Sequence, residues 1–157
     1  IQSRKARDVA PLFDMIHSID RLKIARKLSD TAQEMEQSIN VMLEINISGE
    51  SAKYGFEASN WKNDPKIKAV LWQNIAEISA IPQLNVCGLM TMAPFYANME
   101  ATRPVFAALA ELRDELQESL DIALPELSMG MINDFPVAIE EGATIVRVGR
   151  AIFGERR

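Results

Sequence analysis

Leu84–Met92 reads LNVCGLMTM, an apolar run interrupted only by Asn85 and Thr91. A strand that is covered on both faces has this pattern, whereas a half-exposed strand alternates apolar and polar residues. Similar apolar stretches recur at 12–19, 41–47, 127–129 and 144–148. Amphipathic segments lie between them. Repeated strand–helix units of this kind predict parallel strands joined by right-handed crossovers.

The segments between the strands have helical periodicity. Asp20 is a suitable N-cap for the first helix, and Gly142 is a typical residue just after a helix end. Ser48–Asn63 is polar and predicts a loop. The predicted helices cover residues 21–37, 65–79, a long stretch after 98, and 134–141.

Five strand–helix units fit two architectures. One is an open doubly wound sheet, and the other is a TIM-type (β/α)8 barrel that lacks its first strands. A complete barrel needs about 250 residues, and this chain has 157. No Gly-x-Gly-x-x-Gly motif follows the first strand, so a dinucleotide-binding fold has no support. Because no linker interrupts the pattern, residues 1–157 are predicted to form a single domain.

Composition excludes several classes of function. The net charge is −5 and there is no long basic run, which argues against nucleic acid as a partner. No apolar stretch approaches the roughly 20 residues of a membrane helix. The only cysteine, Cys87, cannot form an internal disulfide, which favours a reducing, cytoplasmic compartment. With one cysteine and one histidine far apart, no metal site and no Cys/His dyad is expected. We expect a monomer or a weak homo-oligomer.

The first candidate site is the turn Leu127-Ser128-Met129-Gly130-Met131. A short strand, a glycine turn and a helix beginning near Asp134 together direct several backbone N–H groups outward. Such a geometry suits a phosphate, because the helix dipole adds positive potential there. The alternative is a tight turn with an ordinary helix cap, and the carboxylate of Asp134 opposes an anion unless it faces away.

The second candidate site is the strand Thr144–Val148, which places Arg147 in a doubly covered position. A buried arginine is rare unless it is paired or binds a ligand. A structural ion pair with a carboxylate inside the barrel and a ligand contact remain equal alternatives. Gly149 lets the backbone approach a ligand closely, and phosphates in barrels commonly lie between the loops after the last two strands.

These motifs carry a resemblance to a known family. Leu127–Met131 with Asp134-Phe135, followed by Val146–Gly149 and Ile152–Gly154, resembles the C-terminal signature of the pyridoxal phosphate homeostasis proteins, which share the fold of the alanine racemase N-terminal domain. Four further stretches match the family in order along the chain, and the resemblance covers essentially all of it. Those stretches are Gly88–Pro94, Glu44–Phe56, His17–Asp20 and residues 1–5, similar to the sixth, fifth and fourth strands and to the segment after the third.

The resemblance implies pyridoxal 5′-phosphate (PLP) as the cofactor. Arg147 would face the pyridine nitrogen, and Asn46 and Thr91 would line the pocket, unless they are satisfied polar groups of the core. The Schiff-base lysine of the family lies on its first strand, upstream of Ile1, so no residue here is assigned to it and no catalytic residue is expected. The implied phosphate contacts, largely through backbone N–H groups, come from Ser128, Gly130, Met131, Gly149 and Arg150.

Three functions fit these expectations. The favoured one is a non-catalytic PLP carrier in intracellular vitamin B6 homeostasis. An always-charged arginine leaves the ring nitrogen unprotonated, and a neutral pyridine is a weaker electron sink. The alternatives are a PLP-dependent alanine racemase-like enzyme and a barrel enzyme that acts on a phosphorylated metabolite. His17 is predicted to have a hydrogen-bonded core role, and Lys53 to lie on a solvated loop rather than at the pocket mouth.

Overall fold

The computed structural model describes residues 5–50 and 52–154. Its strands are β1 (Met15–Ile19), β2 (Ile39–Asn46), β3 (Phe56–Glu57), β4 (Leu84–Met90), β5 (Glu126–Met131) and β6 (Ile145–Arg147). They form a parallel sheet whose strand order, β1-β2-β4-β5-β6, follows the chain without reversal. A doubly wound sheet reverses its order, whereas a barrel does not. The order therefore confirms the predicted barrel architecture with five strand–helix units.

The helices follow the predicted periodicity. Asp64 caps the helix that begins at Pro65, with its Oδ1 accepting from the backbone N–H groups of Lys66 and Ile67. The predicted cap at Asp20 is wrong. Arg21 takes the N-cap position, and Asp20 instead pairs with the Arg21 guanidinium at 2.8 Å. The helices are α1 (Ala6–Val9), α2 (Leu22–Glu34), α3 (Pro65–Ser79), α4 (Arg103–Leu120), α5 (Phe135–Glu140) and α6 (Arg150–Phe153), with 3-10 turns at Ala10–Leu12 and Met99–Thr102.

The central strand β2 is buried on both faces. On one face, Val41, Leu43 and Ile45 of β2 pack with the apolar sides of the helices. On the other face, Met42, Cys87 and Met90 form a small separate cluster, and all three residues come from strands. Burial on both faces explains the unbroken apolar runs that the sequence shows.

The sheet is strongly curled. His17 on β1 and Ser128 on β5 are three strands apart, yet His17 Nδ1 lies 2.9 Å from Ser128 Oγ. In a flat sheet, three strand spacings would separate these positions by about 14 Å. The contact therefore requires the concave curvature of a barrel, and it identifies the inner face of that barrel.

Two local features were not predicted. β3 lies within the predicted loop Ser48–Asn63 and pairs with the end of β2. At Gly88 in β4, an added Cβ would lie 2.0 Å from the carbonyl oxygen of Glu126, so β4 and β5 approach each other unusually closely there. No helix in the described part of the chain is long and apolar enough to cross a membrane.

Candidate functional site

A cavity of about 760 Å³ lies at the carboxyl ends of β4, β5 and β6. Three segments line it: residues 93–102 after β4, the turn 131–134 after β5, and residues 147–154 at the end of β6. Ligands of parallel α/β folds bind at this edge because the loops converge there. The cavity therefore brings both candidate motifs to one place.

Arg147 contributes a fixed positive charge to the cavity. Its Nη1 donates to the Ser128 carbonyl at 2.8 Å and to Ser128 Oγ at 2.7 Å, and its Nη2 donates to the Thr91 carbonyl at 2.9 Å. Among the described residues, no carboxylate lies within ion-pair distance of the guanidinium, so the structural ion pair is not found. Burial lowers the pKa of Arg147, while Glu44 and Asp134 raise it. A charge that only neutral oxygens satisfy suits an anionic or electron-rich ligand.

Ser128 is fully buried and points into the barrel rather than toward the turn. Its Oγ accepts from Arg147 and contacts His17 Nδ1. A serine hydroxyl has one hydrogen and two lone pairs, and Ser128 uses one of these lone pairs for Arg147. The Ser128 hydroxyl is thus engaged by two side chains, and the expected phosphate contact from it would compete with them.

The turn after β5 is closed by its own aspartate. Asp134 Oδ1 accepts from the Met131 backbone N–H at 2.5 Å, and the aspartate is buried. Gly130 has φ +88, and an added Cβ there would lie 2.6 Å from Ala138 Cβ. The packing of α5 against the turn therefore explains Gly130 by itself. An anion reaches the Met131 amide only if Asp134 turns away.

Gly149 differs from Gly130. Its φ lies outside the left-handed region, and an added Cβ would meet no atom within 4 Å. Neither the backbone conformation nor packing among the described residues requires a glycine at this position. Gly149 lines the cavity, so the space left by its missing side chain is open to a ligand. Arg150 begins α6, but its side chain lies outside the described residues.

Asn46 and Thr91 are buried and satisfied. Asn46 organises the loop after β2, where its Nδ2 donates to the Glu50 carbonyl at 3.1 Å and its Oδ1 accepts from the Gly49 N–H at 3.0 Å. Thr91 Oγ1 donates to the Ile45 carbonyl at 2.7 Å. Neither residue lines the cavity, and Thr91 supports Arg147 through its carbonyl oxygen.

Lys53 is half-buried rather than solvated. Its Nζ donates to the Met92 carbonyl at 3.1 Å and pairs with Glu50. The prediction of a solvated loop is therefore wrong, because Lys53 fastens the loop after β2 to the segment that follows β4. The hydrogen bond predicted for His17 is confirmed by its contact with Ser128, although the side chain is half-buried rather than in the core.

Glu44 on β2 is a carboxyl group that is only 6% exposed. Burial raises its pKa, and the neighbouring Asp20 raises it further, while Arg147 opposes the shift. Folding therefore makes the neutral form of this side chain easier to populate than it is in an unfolded chain.

We expect Glu44→Gln to stabilise the protein at neutral and mildly alkaline pH. Because the folded-state pKa is raised, the carboxyl favours folding below its unfolded pKa, and that contribution is lost as the pH rises through the folded pKa. An amide does not ionise. Urea titrations just below pH 4.5, the ordinary pKa of a glutamate carboxyl, and at mildly alkaline pH should show that the free energy of unfolding of the variant exceeds that of the wild type mainly at the higher pH. An equal difference at both pH values would contradict this.

Comparison with known proteins agrees with the geometry. The alanine racemase N-terminal domain family matches residues 1–157. A pyridoxal phosphate homeostasis protein of Aquifex aeolicus is 43% identical over 157 residues, which are all of this chain and 64% of that protein. Its counterpart in Vibrio cholerae is 39% identical over 99% of this chain and 61% of its own length. The chain thus spans about three-fifths of the length of these curated relatives.

Solved structures are also similar to this chain over nearly its whole length. PipY of Synechococcus elongatus PCC7942, solved without PLP, superposes with a TM-score of 0.85 at 34% identity and covers 98% of this chain and 67% of its own. The same protein with PLP bound gives a TM-score of 0.83. Diaminopimelate decarboxylase of M. jannaschii, at 12% identity and a TM-score of 0.74 over 96% of this chain and 42% of its own, shares the fold alone.

Proposed function

Because this chain belongs to the alanine racemase N-terminal domain family, we propose that it is part of a PLP-binding protein that acts in intracellular PLP homeostasis without catalytic turnover. The names of its relatives and the PLP-bound state of PipY support this function. The observation that carries it in the chain itself is Arg147, a guanidinium held by neutral oxygens beside a cavity large enough for a cofactor.

The cavity fits the two ends of PLP. At one end, Gly149 leaves space where a Cβ would meet no protein atom, so the backbone at Gly149 and Arg150 would hold the phosphate. At the other end, Arg147 would hold the pyridine nitrogen. Met131 joins the phosphate contacts only when Asp134 turns away from its amide. Ser128 and Thr91 would act indirectly by orienting Arg147.

Bound PLP supplies an electron sink for reactions of amines. Arg147 weakens that sink, because its guanidinium does not give up its proton and disfavours a second cation on the ring nitrogen. The residues of this chain therefore suit holding and releasing the cofactor. The test is to mix full-length protein with PLP and with alanine enantiomers. A shifted PLP absorption spectrum without racemisation supports the proposal, and clear turnover of alanine would overturn it in favour of the racemase.

Gly149→Ala gives a sharper test of the phosphate end. The added methyl group meets no protein atom, so the free energy of unfolding should stay within about 0.5 kcal/mol of wild type. PLP affinity should fall by about tenfold, the equivalent of about 1.4 kcal/mol. Fluorescence titration with PLP and with pyridoxal, which lacks the phosphate, measures this. An equal loss for both ligands would argue against a phosphate contact at Gly149.

A further inference from the structure

We infer that His17 is a positioning residue of this site: its neutral imidazole takes the hydroxyl hydrogen of Ser128 at Nδ1, and this leaves the Ser128 oxygen free to accept from Arg147. The inference rests on the proposed function, since it concerns the residue expected at the ring-nitrogen end of PLP. No contact between His17 and the cofactor is involved.

Hydrogen-bond accounting fixes the direction of this chain of contacts. Arginine donates and never accepts, so Ser128 Oγ must accept at its 2.7 Å contact with Arg147 Nη1. Ser128 Oγ keeps one lone pair and its single hydrogen for the 2.9 Å contact with His17 Nδ1. If Nδ1 carried the proton, the hydrogen of this fully buried hydroxyl would have no acceptor among the described residues. We therefore assign Nδ1 as the acceptor, with the imidazole proton on Nε2.

The surroundings of His17 favour this neutral form. Burial lowers its pKa, and the positive charge of Arg147 lowers it further, while Glu126 raises it. An imidazolium would direct a second donor at an oxygen that already accepts from Arg147. It would also leave the Ser128 hydrogen without its acceptor. Two cations would then share one buried hydroxyl, which is costly in a low-dielectric interior.

The contact with Ser128 Oγ is one of three that orient the guanidinium. Without the acceptor on His17, the Ser128 hydrogen turns elsewhere, and its oxygen no longer offers Arg147 a fixed lone pair. Arg147 keeps the carbonyls of Ser128 and Thr91, so its side chain stays nearby but is less well oriented. The expected result is weaker PLP binding in a protein that remains folded.

The variants that test this are His17→Leu, which removes the acceptor, and His17→Asn, whose amide oxygen replaces Nδ1. In full-length protein, His17→Leu should weaken PLP binding by about fivefold to tenfold, as expected for one hydrogen bond that supports a charged group. His17→Asn should restore most of that affinity. Ser128→Ala should resemble His17→Leu, and the double variant should be no weaker than either, because both changes break the same chain.

A second measurement does not depend on PLP or on how the variants fold. Nitrogen NMR of wild-type protein labelled with 15N-histidine should show His17 neutral, with its proton on Nε2, at neutral pH. A proton on Nδ1, a charged His17, or equal PLP affinities for wild type and His17→Leu would overturn the inference. Absence of PLP binding by the wild type would overturn the proposed function and this positioning role with it, whereas the tautomer would still report whether the His17–Ser128–Arg147 chain exists.

Discussion

Gly88→Ala is expected to leave little or no folded protein. The new Cβ would lie 2.0 Å from the Glu126 carbonyl oxygen and 2.7 Å from its carbon, both of them backbone atoms of the neighbouring strand. Strands β4 and β5 would have to separate at the centre of the sheet, which breaks their pairing at Gly88, Leu89 and Met90. A cost above about 4 kcal/mol is a large part of the roughly 5–15 kcal/mol that holds a domain together.

The control for Gly88→Ala comes from the other glycines. At Gly142, φ is +91 but no atom lies within 4 Å of an added Cβ, so alanine there should cost only the left-handed backbone strain of about 1–2 kcal/mol. Urea unfolding of alanine variants at Gly149, Gly142 and Gly88 should therefore give costs that increase in that order. A Gly88→Ala protein as stable as the Gly142 variant would contradict the close approach of the two strands.

Arg147→Met should have the largest effect on the cofactor site. The methionine keeps the length of the stem, but it removes the charge and the guanidinium donors to the Thr91 and Ser128 carbonyls. The Ser128 carbonyl still accepts from the Thr91 backbone N–H at 3.1 Å. We expect PLP affinity to fall by at least about tenfold, since hydrogen bonds to charged groups contribute about 1.5–3 kcal/mol each. The absorption spectrum of bound PLP should also become more pH-dependent, because the ring nitrogen is then free to take a proton.

Arg147→Lys is the matched control, because it keeps the positive charge but loses the two-branched guanidinium. A lysine ammonium cannot reproduce the planar, two-branched contacts to Ser128 and Thr91. Its PLP affinity should lie between those of wild type and Arg147→Met, and isothermal titration of all three proteins measures the order. Wild-type affinity in Arg147→Met would show that the guanidinium is not a cofactor contact.

The sequence predicts the strands well because their pattern is local. Leu84–Met92 and Val41–Ile47 are apolar at nearly every position, and they contain the strands β4 and β2. Nearly all of β2 is buried, and β4 is buried from Cys87 to Met90. The sequence does not predict the two-residue strand β3, because Phe56–Glu57 is too short to show a periodic pattern. At Asp20, residue type and position predict a helix cap, but the carboxylate instead pairs with the Arg21 guanidinium at 2.8 Å.

The site was only partly predictable for a different reason. From residue type and position near one strand, the sequence selects Arg147 and Gly149, and both residues line the cavity. The engagement of Ser128 depends on His17, which is 111 residues away and has no sequence signal that links it to β5. Asp134 closes the turn by a local contact between its side chain and the Met131 backbone N–H. Aspartate often makes such local contacts, so residue type is the signal that indicates this closure.

The contact between His17 and Ser128 has a consequence for the order of folding. Each strand pairs with the next unit along the chain, so most of the sheet forms between neighbours in sequence. Contacts between residues far apart in the sequence cost loop-closure entropy before they contribute stability, and they tend to form late. A chain that has paired its strands but not yet curled still holds His17 and Ser128 apart. The orientation of Arg147 is thus a property of the finished barrel, so a folding intermediate with a nearly complete sheet would lack it.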